Sequence, residues 1–356
     1  MQNSIVEQFK VDGHKGNRTI FCPYCQREIK RTIVPHMRSC HEKVWLEWRL
    51  DFVKLFNEGY SLKRIMKQYR TLFSWTVIAP EILRTAEENN IRLAPSLSKV
   101  NSWEPTSFKK ESTTMWQFPK RGNWFLHNGT YRGNWAPQVP RNIILQYSSK
   151  DDFILDCFLG GGTTVVESLL LERKGIGLDL SPHAISMSKE IVSKMKIEAN
   201  KSGKSVSNYL PTIFKGDARN LPFRDSSVDL VCCQLPYADA INYTWNVKGD
   251  LSKIHDVDDF CRGITQVALE LYRVLKAEKR CSIMIGDIRK NKMIVPLGFR
   301  VLKTFLDAKF KTEEIVIKKQ FQDRSTPFYR SEDSASVLNY RIEHEYIFVL
   351  KKTLGE

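Results

Sequence analysis

The chain has 356 residues, 42% of them apolar and 27% charged, which is typical of a folded protein and excludes disorder as the default. A net charge of +15 and an isoelectric point near 9.4 favour a polyanionic partner. Because no apolar run approaches the roughly 18 residues of a spanning helix and no signal-peptide pattern is present, we expect nucleic acid as the partner and no membrane association.

A cluster of cysteine and histidine residues lies near the N-terminus. The pair Cys22-Pro-Tyr-Cys25 is followed, after ten residues, by His36-Met-Arg-Ser-Cys40-His41, which is a zinc-finger spacing. We predict that Cys22, Cys25, His36 and Cys40 bind a structural Zn2+ ion, because His36 and Cys40 are one helical turn apart and four protein ligands leave no open coordination position. His41 is the alternative fourth ligand.

The basic residues around this cluster suit contact with phosphate groups. They are Arg27, Lys30, Arg31 and Arg38. The remaining cysteines lie scattered in apolar segments, which predicts reduced thiols and an intracellular, cytoplasmic protein. They are Cys157, Cys232, Cys233, Cys261 and Cys281.

The texture of the sequence predicts four segments: a zinc-finger module at residues 1–42, a helical module at 43–95, a linker at 96–125 and a large domain at 126–356. In the helical module, the segment Asn57–Ile65 is similar to a helix-turn-helix, in which a later helix enters the major groove of DNA. The alternative is a three-helix module that only supports the large domain.

The large domain alternates short apolar strands with helical patterns, which predicts a mostly parallel, doubly wound α/β sheet. The predicted strands of the alternating part are Phe153–Phe158, Gly175–Leu180, Thr212–Lys215, Leu230–Leu235 and Cys281–Ile285. Two further strands, Glu314–Gln320 and Glu345–Lys351, are predicted to form an antiparallel pair at the C-terminal end.

Three strand ends carry the features of a nucleotide-like cofactor site. Asp156 ends the first strand and is followed by a turn with Gly160 and Gly162, where the backbone can approach a ligand. Asp179 ends the second strand and is placed to accept both ribose hydroxyls, while Asp217 after the third can accept from an adenine amine. A dinucleotide site is the alternative, although Val165 stands where its third glycine would be.

The motifs from about residue 115 to the C-terminus resemble the S-adenosylmethionine-dependent DNA methyltransferases that modify adenine N6 or cytosine N4. The segment Asp156–Thr164 matches their cofactor motif, His127–Pro140 resembles the segment that closes over the methionine end, and Gly216–Ala218 matches the adenine-contact strand. The resemblance implies a Rossmann-like methyltransferase fold and S-adenosyl-L-methionine as cofactor. The implied cofactor-binding residues are Trp135, Pro137, Asp156, Phe158, Gly160, Gly162, Thr163, Asp179, Asp217, Ala218 and Gln234.

The segment Gln234-Leu235-Pro236-Tyr237 occupies the position of the catalytic tetrapeptide of this family. These enzymes flip the target base out of the duplex, and Tyr237 fits the role of the aromatic ring on which the base stacks. The Gln234 side-chain oxygen and the Leu235 carbonyl are the predicted acceptors for the target amine. The family pattern has Asp, Asn or Ser followed by Pro-Pro, so Gln234 and Leu235 are departures from it.

The resemblance implies a site-specific methyltransferase acting on double-stranded DNA, with adenine N6 favoured over cytosine N4 and a cognate restriction nuclease as a candidate partner. It also implies a prokaryotic or phage source and association with the nucleoid. Two alternatives remain open at this stage. One is a methyltransferase-like DNA-binding protein with weak or no turnover, and the other is an RNA amino-group methyltransferase.

Overall fold

The computed structural model describes most of the chain. The described residues are 10–12, 19–29, 33–58, 65, 81–82, 84–86, 88–89, 91, 100, 102–127, 131, 133–204, 206–207, 209, 211–238, 247–290, 293–321 and 340–354. The chain divides into two compact units with the boundary between Ser98 and Lys99. Within the described residues, no helix is long and apolar enough to cross a membrane.

The N-terminal unit contains a small antiparallel sheet and two consecutive helices. Its elements are β1 (Lys10–Asp12), β2 (Thr19–Phe21), β3 (Glu28–Ile29), α1 (Ile33–Cys40) and α2 (Glu42–Asn57). The buried face of α2 repeats at helical spacing through Trp45, Trp48 and Phe52 and packs with Met37 of α1 in one core. Buried Arg49 extends this core with a 2.9 Å ion pair to Glu81.

The second unit is built on an eight-stranded sheet. Its strands are β4 (Met115–Gln117), β5 (Phe153–Asp156), β6 (Lys174–Asp179), β7 (Thr212–Lys215), β8 (Val228–Gln234), β9 (Leu275–Ile285), β12 (Lys311–Lys319) and β13 (His344–Lys351), in the order β4-β12-β13-β9-β8-β5-β6-β7. A separate hairpin, β10 (Ile288–Lys290) with β11 (Met293–Val295), follows β9. Neighbouring strands from β9 to β7 are parallel, and β13 is antiparallel to both of its neighbours.

Helices connect the strands and cover both faces of the sheet. They are α3 (Gln138–Tyr147), α4 (Thr163–Leu170), α5 (Pro182–Ser202), α6 (Val257–Val274) and α7 (Leu297–Asp307). Adjacent residues of one strand belong to different cores. Leu155 and Val231 pack in the core that contains α6 and α7, whereas Ile154 and Leu230 pack in the core that contains α3. This alternation confirms the doubly wound α/β architecture that the sequence predicts.

The strands predicted for the large domain are confirmed, with changes of a few residues at their ends. The strand β9 begins earlier than predicted, at Leu275, and the antiparallel pair is β12 with β13. The central strand β8 is buried at six of its seven positions, as expected for a strand covered by helices on both faces.

The segment 96–125, predicted to be a linker, is in part an integral piece of the large unit. Met115–Gln117 forms the edge strand β4 beside β12, and Trp116, Trp124 and Phe125 are buried. These aromatic residues are buried by tertiary packing. The Ser, Pro and Lys residues around them are typical of a linker, so the sequence pattern does not indicate this burial. The predicted helix-turn-helix segment lies mostly outside the described residues.

Candidate functional site

Most of the predicted cofactor and base-binding residues lie at the carboxyl ends of β5, β6, β7 and β8, while Trp135 and Pro137 lie before α3. These four strands are parallel neighbours in the order β8-β5-β6-β7, so their ends meet at one edge of the sheet. This is the edge at which open α/β sheets bind their ligands. Strand pairing therefore brings segments that are far apart in the sequence to one edge of the sheet.

The glycine turn after β5 is held in a left-handed backbone conformation. Gly160 has φ +48° and Gly162 has φ +77°, which side-chain-bearing residues adopt only at a cost. The ring of Tyr131 covers the turn so closely that a Cβ added at Gly160 would lie 3.0 Å from Cε1 of Tyr131. Gly162 directly precedes α4, so the N–H groups of that helix begin at the turn.

Asp179 at the end of β6 is tied to this turn. Its Oδ2 accepts a hydrogen bond from the Gly160 N–H at 2.9 Å, and its Oδ1 accepts from the Ser181 N–H at 2.8 Å. Burial of the carboxyl group raises the pKa of Asp179 to about 6, against these two hydrogen bonds, which act to lower it. The predicted ribose-binding carboxyl thus lies at the glycine turn and titrates near neutral pH.

Asp156 is the buried carboxyl at the end of β5. Its Oδ1 accepts a hydrogen bond from the Phe158 N–H at 3.0 Å, which fixes the start of the turn. Burial raises the pKa of Asp156 to about 7, and the nearby Asp179 carboxyl acts in the same direction. Two carboxyls with raised pKa values at one strand edge are characteristic of a functional site.

Asp217 follows β7 and is engaged in an ion pair. Its carboxylate contacts the Arg219 guanidinium at 2.6 Å, and Arg219 also donates to the carbonyl of Gly249. Burial acts to raise the pKa of Asp217, but the hydrogen bonds from Arg219 prevail and hold it below its ordinary value. The neighbouring Ala218 is buried. A charged acceptor is therefore present where the adenine amine is predicted to bind.

The segment before α3 reaches the same turn through Asn134. The hydroxyl of Thr163 donates to Oδ1 of Asn134 at 2.7 Å, and the Arg121 guanidinium donates to the carbonyls of Asn134 and Trp135. Trp135 itself is buried in the core with α3, and Pro137 precedes the first turn of that helix. The structure thus joins the predicted methionine-end segment to the glycine turn through Asn134, which the sequence analysis did not single out.

A buried carboxylate on α4, that of Glu167, binds residues of the segment before α3 and of α3 itself. Glu167 is fully buried and accepts from the Trp124 indole N–H at 2.7 Å and from the Arg141 guanidinium at 2.9 Å. The His127 Nε2 lies 2.6 Å from the same carboxylate. Since α4 begins at the glycine turn, this network fixes the upstream segment and the turn relative to each other.

The predicted catalytic tetrapeptide begins at the last residue of β8. Gln234 ends the strand and is partly exposed, whereas Leu235 is fully buried and its N–H donates to the Met284 carbonyl at 3.0 Å. The Gln234 Nε2 donates to the Tyr237 hydroxyl at 3.4 Å. That hydroxyl in turn donates to the carboxylate of Glu345 on β13. The pairing of β5 with β8 brings the tetrapeptide to the same sheet edge as the glycine turn, and the Tyr237 hydroxyl ties it to β13.

The Cys/His cluster of the N-terminal unit is assembled, but with a different fourth member. The ligand atoms of Cys22, Cys25, His36 and His41 all lie within 4.8 Å of one another. His41, the alternative fourth ligand, completes this group, whereas Cys40, predicted as the fourth ligand, is exposed at the end of α1. His41 has non-helical dihedrals (φ −141°, ψ 49°) and lies with its Nε2 3.3 Å from the Cys22 Sγ.

Two sulfur and two nitrogen donors fit Zn2+ in chemistry and approximate spacing. Tetrahedral Zn2+ with Zn–S and Zn–N distances of about 2.3 and 2.0 Å keeps its ligand atoms about 3.3–3.8 Å apart. The Cys25 Sγ and His36 Nε2 are 3.3 Å apart, within this range. Of the basic residues predicted for phosphate contact, Arg38 is instead paired with the buried carboxylate of Glu81.

Sequence reasoning missed the charged residues that support the site from inside. Glu167 and Glu345 are acidic residues within otherwise apolar helix and strand patterns, and this interruption is the signal that was available. The partners of Glu345 were not identifiable in this way, because Tyr237 is 108 residues away along the chain.

Comparison with known proteins adds a family assignment. The family model described as DNA methylase matches residues 15–190 and 228–354, and a model described as methyltransferase domain matches residues 157–283. The chain is 29% identical over 132 residues to the type II methyltransferase M.BglI of Bacillus subtilis, covering 33% of this chain and 37% of that protein. It is 34% identical over 80 residues to the type II methyltransferase M2.MboI of Moraxella bovis, covering 22% and 29%.

The chain thus spans about a third of the length of these curated relatives. Among solved structures, it is similar to a SAM-dependent methyltransferase of Methanosarcina mazei, with 15% identity, 60% of this chain and 98% of that chain covered, and a TM-score of 0.40. A candidate DNA modification methylase of Thermus thermophilus in complex with S-adenosyl-L-methionine is 25% identical, with 40% and 55% covered and a TM-score of 0.29.

Proposed function

The chain belongs to the DNA methylase family, and from this premise we propose that it transfers a methyl group from S-adenosylmethionine to an exocyclic amino group in DNA. The target is a base flipped out of the duplex, adenine N6 in preference to cytosine N4. The observation that carries the proposal is the pairing of β5 with β8, which brings the glycine turn and the Gln234–Tyr237 segment to one sheet edge.

On this proposal the cofactor supplies an electrophilic methyl group, and the protein orients both reactants. Asp179 accepts from the ribose hydroxyls, Asp217 from the adenine amine, and the N–H groups at the start of α4 face the polar end of the cofactor. Asn134, held by Thr163 and Arg121, supports the segment over the methionine end. This arrangement fixes the methyl donor at the edge where β8 ends.

The target amine is a poor nucleophile, because its lone pair is delocalised into the base. Hydrogen bonds from its two N–H groups to the Gln234 side-chain oxygen and the Leu235 carbonyl polarise it towards attack on the methyl group. The burial of Leu235 and its bond to Met284 hold the backbone in place without the first of the two prolines of the family pattern. The Tyr237 ring is the proposed surface for the flipped base.

We assign the N-terminal unit a role in binding double-stranded DNA, supported by a zinc ion held by Cys22, Cys25, His36 and His41. The ion is structural, because four protein ligands leave no position for a substrate. The basic net charge of the chain favours a phosphate backbone as the partner. A nucleoid location and a cognate nuclease are consistent with this role and belong to the proposal.

Transfer of radiolabelled methyl groups into unmethylated duplex DNA tests the activity directly. We expect incorporation that is lost in Tyr237→Ala, with the dissociation constant for S-adenosylmethionine nearly unchanged. Digestion of the product to nucleosides identifies the modified base. Cofactor binding without incorporation into any DNA would contradict the proposal and favour a DNA-binding protein without turnover, and preferential labelling of structured RNA would favour an RNA methyltransferase.

Replacing Gln234 by Asp tests whether the departure from the family pattern is an adaptation. Gln carries one more methylene than Asn, and displacement of a reacting contact by about 1 Å can cost about a hundredfold in rate. If the surrounding residues are fitted to Gln, we expect Gln234→Asp to slow transfer. A faster variant would mean that the native site is impaired.

A further inference from the structure

Two strands, β12 and β13, and the segments that follow β9 and β8 contribute four residues to a row that ends at the tetrapeptide: Lys318, Glu345, Gly286 and Tyr237. Lys318 of β12 and Glu345 of β13 are directly paired across the sheet, and the Lys318 Nζ lies 2.5 Å from the Glu345 Oε2. The next pair along β13 joins Tyr346 to Ile285, which brings Glu345 beside Gly286 at the end of β9. Glu345 is 5% exposed, so this row lies inside the protein.

Gly286 leaves the space in which the Tyr237 ring contacts Glu345. A Cβ added at Gly286 would lie 3.2 Å from Cε2 of Tyr237 and 3.5 Å from Cγ of Glu345. Because no side chain stands there, the Tyr237 ring crosses β9 and its hydroxyl contacts the Glu345 carboxylate. A Cβ at this position would require the Tyr237 ring to shift by a few tenths of an ångström.

The chemistry of these groups determines which way each hydrogen bond runs. A carboxylate only accepts hydrogen bonds, so the single hydroxyl proton of Tyr237 goes to Glu345. The Tyr237 oxygen can then only accept from Gln234, which must present Nε2 and not Oε1, in agreement with the 3.4 Å contact. The remaining atom of the Gln234 amide, Oε1, is thereby directed away from Tyr237.

We propose that Lys318 and Glu345 are positioning residues that act through Tyr237 to orient the Gln234 amide, with Oε1 held as the acceptor for the target amine. The inference rests on the proposed methyl transfer and explains how that site works with Gln in the first tetrapeptide position. Gln has one more rotatable bond than Asn, and its amide can turn over. The row from Lys318 to Tyr237 removes this freedom.

Single-turnover methyl transfer in the full chain tests the inference with Tyr237→Phe and Glu345→Gln. Tyr237→Phe keeps the ring and removes the hydroxyl, while Glu345→Gln introduces an amide that can donate as well as accept and so no longer dictates the bond direction. We expect each change to slow transfer about tenfold, the effect of one lost oriented hydrogen bond. The double variant should be no slower than the slower single variant, because both changes break the same chain of contacts.

Glu343→Gln is the matched control, since Glu343 lies two residues away in a surface pair with Arg341. It should leave transfer unchanged. The dissociation constant for S-adenosylmethionine verifies the folding of each variant and should stay near the native value. The melting temperature should stay near the native value in Glu343→Gln and fall in Glu345→Gln, because that change leaves the mostly buried Lys318 ammonium without its charged partner. If Glu345→Gln slows transfer as much in the Tyr237→Phe background as in the native protein, Glu345 acts by another route and the inference is overturned.

The side-chain amide resonance of Gln234 gives a second measurement that needs no activity. In protein labelled with ¹⁵N-glutamine, we expect this resonance to shift in both Tyr237→Phe and Glu345→Gln and to stay in place in Glu343→Gln. If the resonance shifts in these variants but the native protein transfers no methyl group, the proposed function is contradicted and the orientation of Gln234 stays supported. If the native protein is active but the variants show neither a shifted Gln234 resonance nor slower methyl transfer, only the orienting role is contradicted.

Discussion

At the scale of single residues, two carboxyls with raised pKa values distinguish this site. Burial raises the pKa of Asp156 to about 7 and that of Asp179 to about 6, from an ordinary value of 3.8. The native state therefore binds these protons more tightly than the unfolded chain does. The contribution of the two groups to stability increases as the pH falls from about 7 towards 4.

Cofactor binding should show the opposite dependence on pH. An ionised Asp179 accepts more strongly from ribose hydroxyls than its neutral form, so affinity for S-adenosylmethionine should fall as the pH drops below about 6. We expect a dissociation constant about tenfold higher at pH 5 than at pH 7.5, measured by calorimetry. In Asp179→Asn, affinity should be weak and its change over this range much smaller. A native affinity that is constant over this range would contradict the ribose assignment.

At the scale of elements, the helix end at Cys40 determines which residues join the Cys/His cluster. We expect about one Zn2+ ion per chain by elemental analysis, retained in Cys40→Ser and lost in His41→Ala, because His41 is the residue that completes the group of four within the described part of the chain. Chelation should lower the melting temperature of the native protein and of Cys40→Ser alike. Retention of zinc in His41→Ala together with its loss in Cys40→Ser would reverse the assignment.

A second prediction at this scale concerns the anchoring of α4 by Glu167. Removing one member of a buried charged network costs about 3–5 kcal/mol, so Glu167→Ala should lower the free energy of unfolding by that amount in urea titrations. The control is Glu198→Ala, which removes an exposed pair with Lys201 and should cost less than about 1 kcal/mol. Equal losses in both variants would show that the network does not anchor the helix.

At the scale of the whole molecule, the net charge of +15 predicts strongly salt-dependent DNA binding. A protein that makes several phosphate contacts loses about 10³-fold in affinity between about 50 and 200 mM salt, because counterions are released on binding. We expect a loss of this order in fluorescence anisotropy with duplex DNA, while affinity for S-adenosylmethionine changes little. A DNA affinity independent of salt would argue against backbone contact as the main source of binding.

Much of the site could be predicted because its signals are local. The glycine turn, Asp179 and Asp217 follow their strands directly, and the parallel alternation of strands and helices implies that such strand ends meet at one edge. The Cys/His composition of the N-terminal cluster is likewise visible in a short window. The edge strand β4 was missed, because three residues without strong alternation become a strand only by pairing with β12.

The sequence by itself determined the α/β class, the glycine turn after β5 and the position of Gln234–Tyr237 at the end of β8, since each depends on residues that are near neighbours in the chain. Only the tertiary structure decided that His41 and not Cys40 joins the cluster, because a helix end redirects side chains that sequence spacing treats alike. It also decided the row from Lys318 to Tyr237. That row depends on the register of β8, β9, β12 and β13, and strand register is set by packing over the whole sheet.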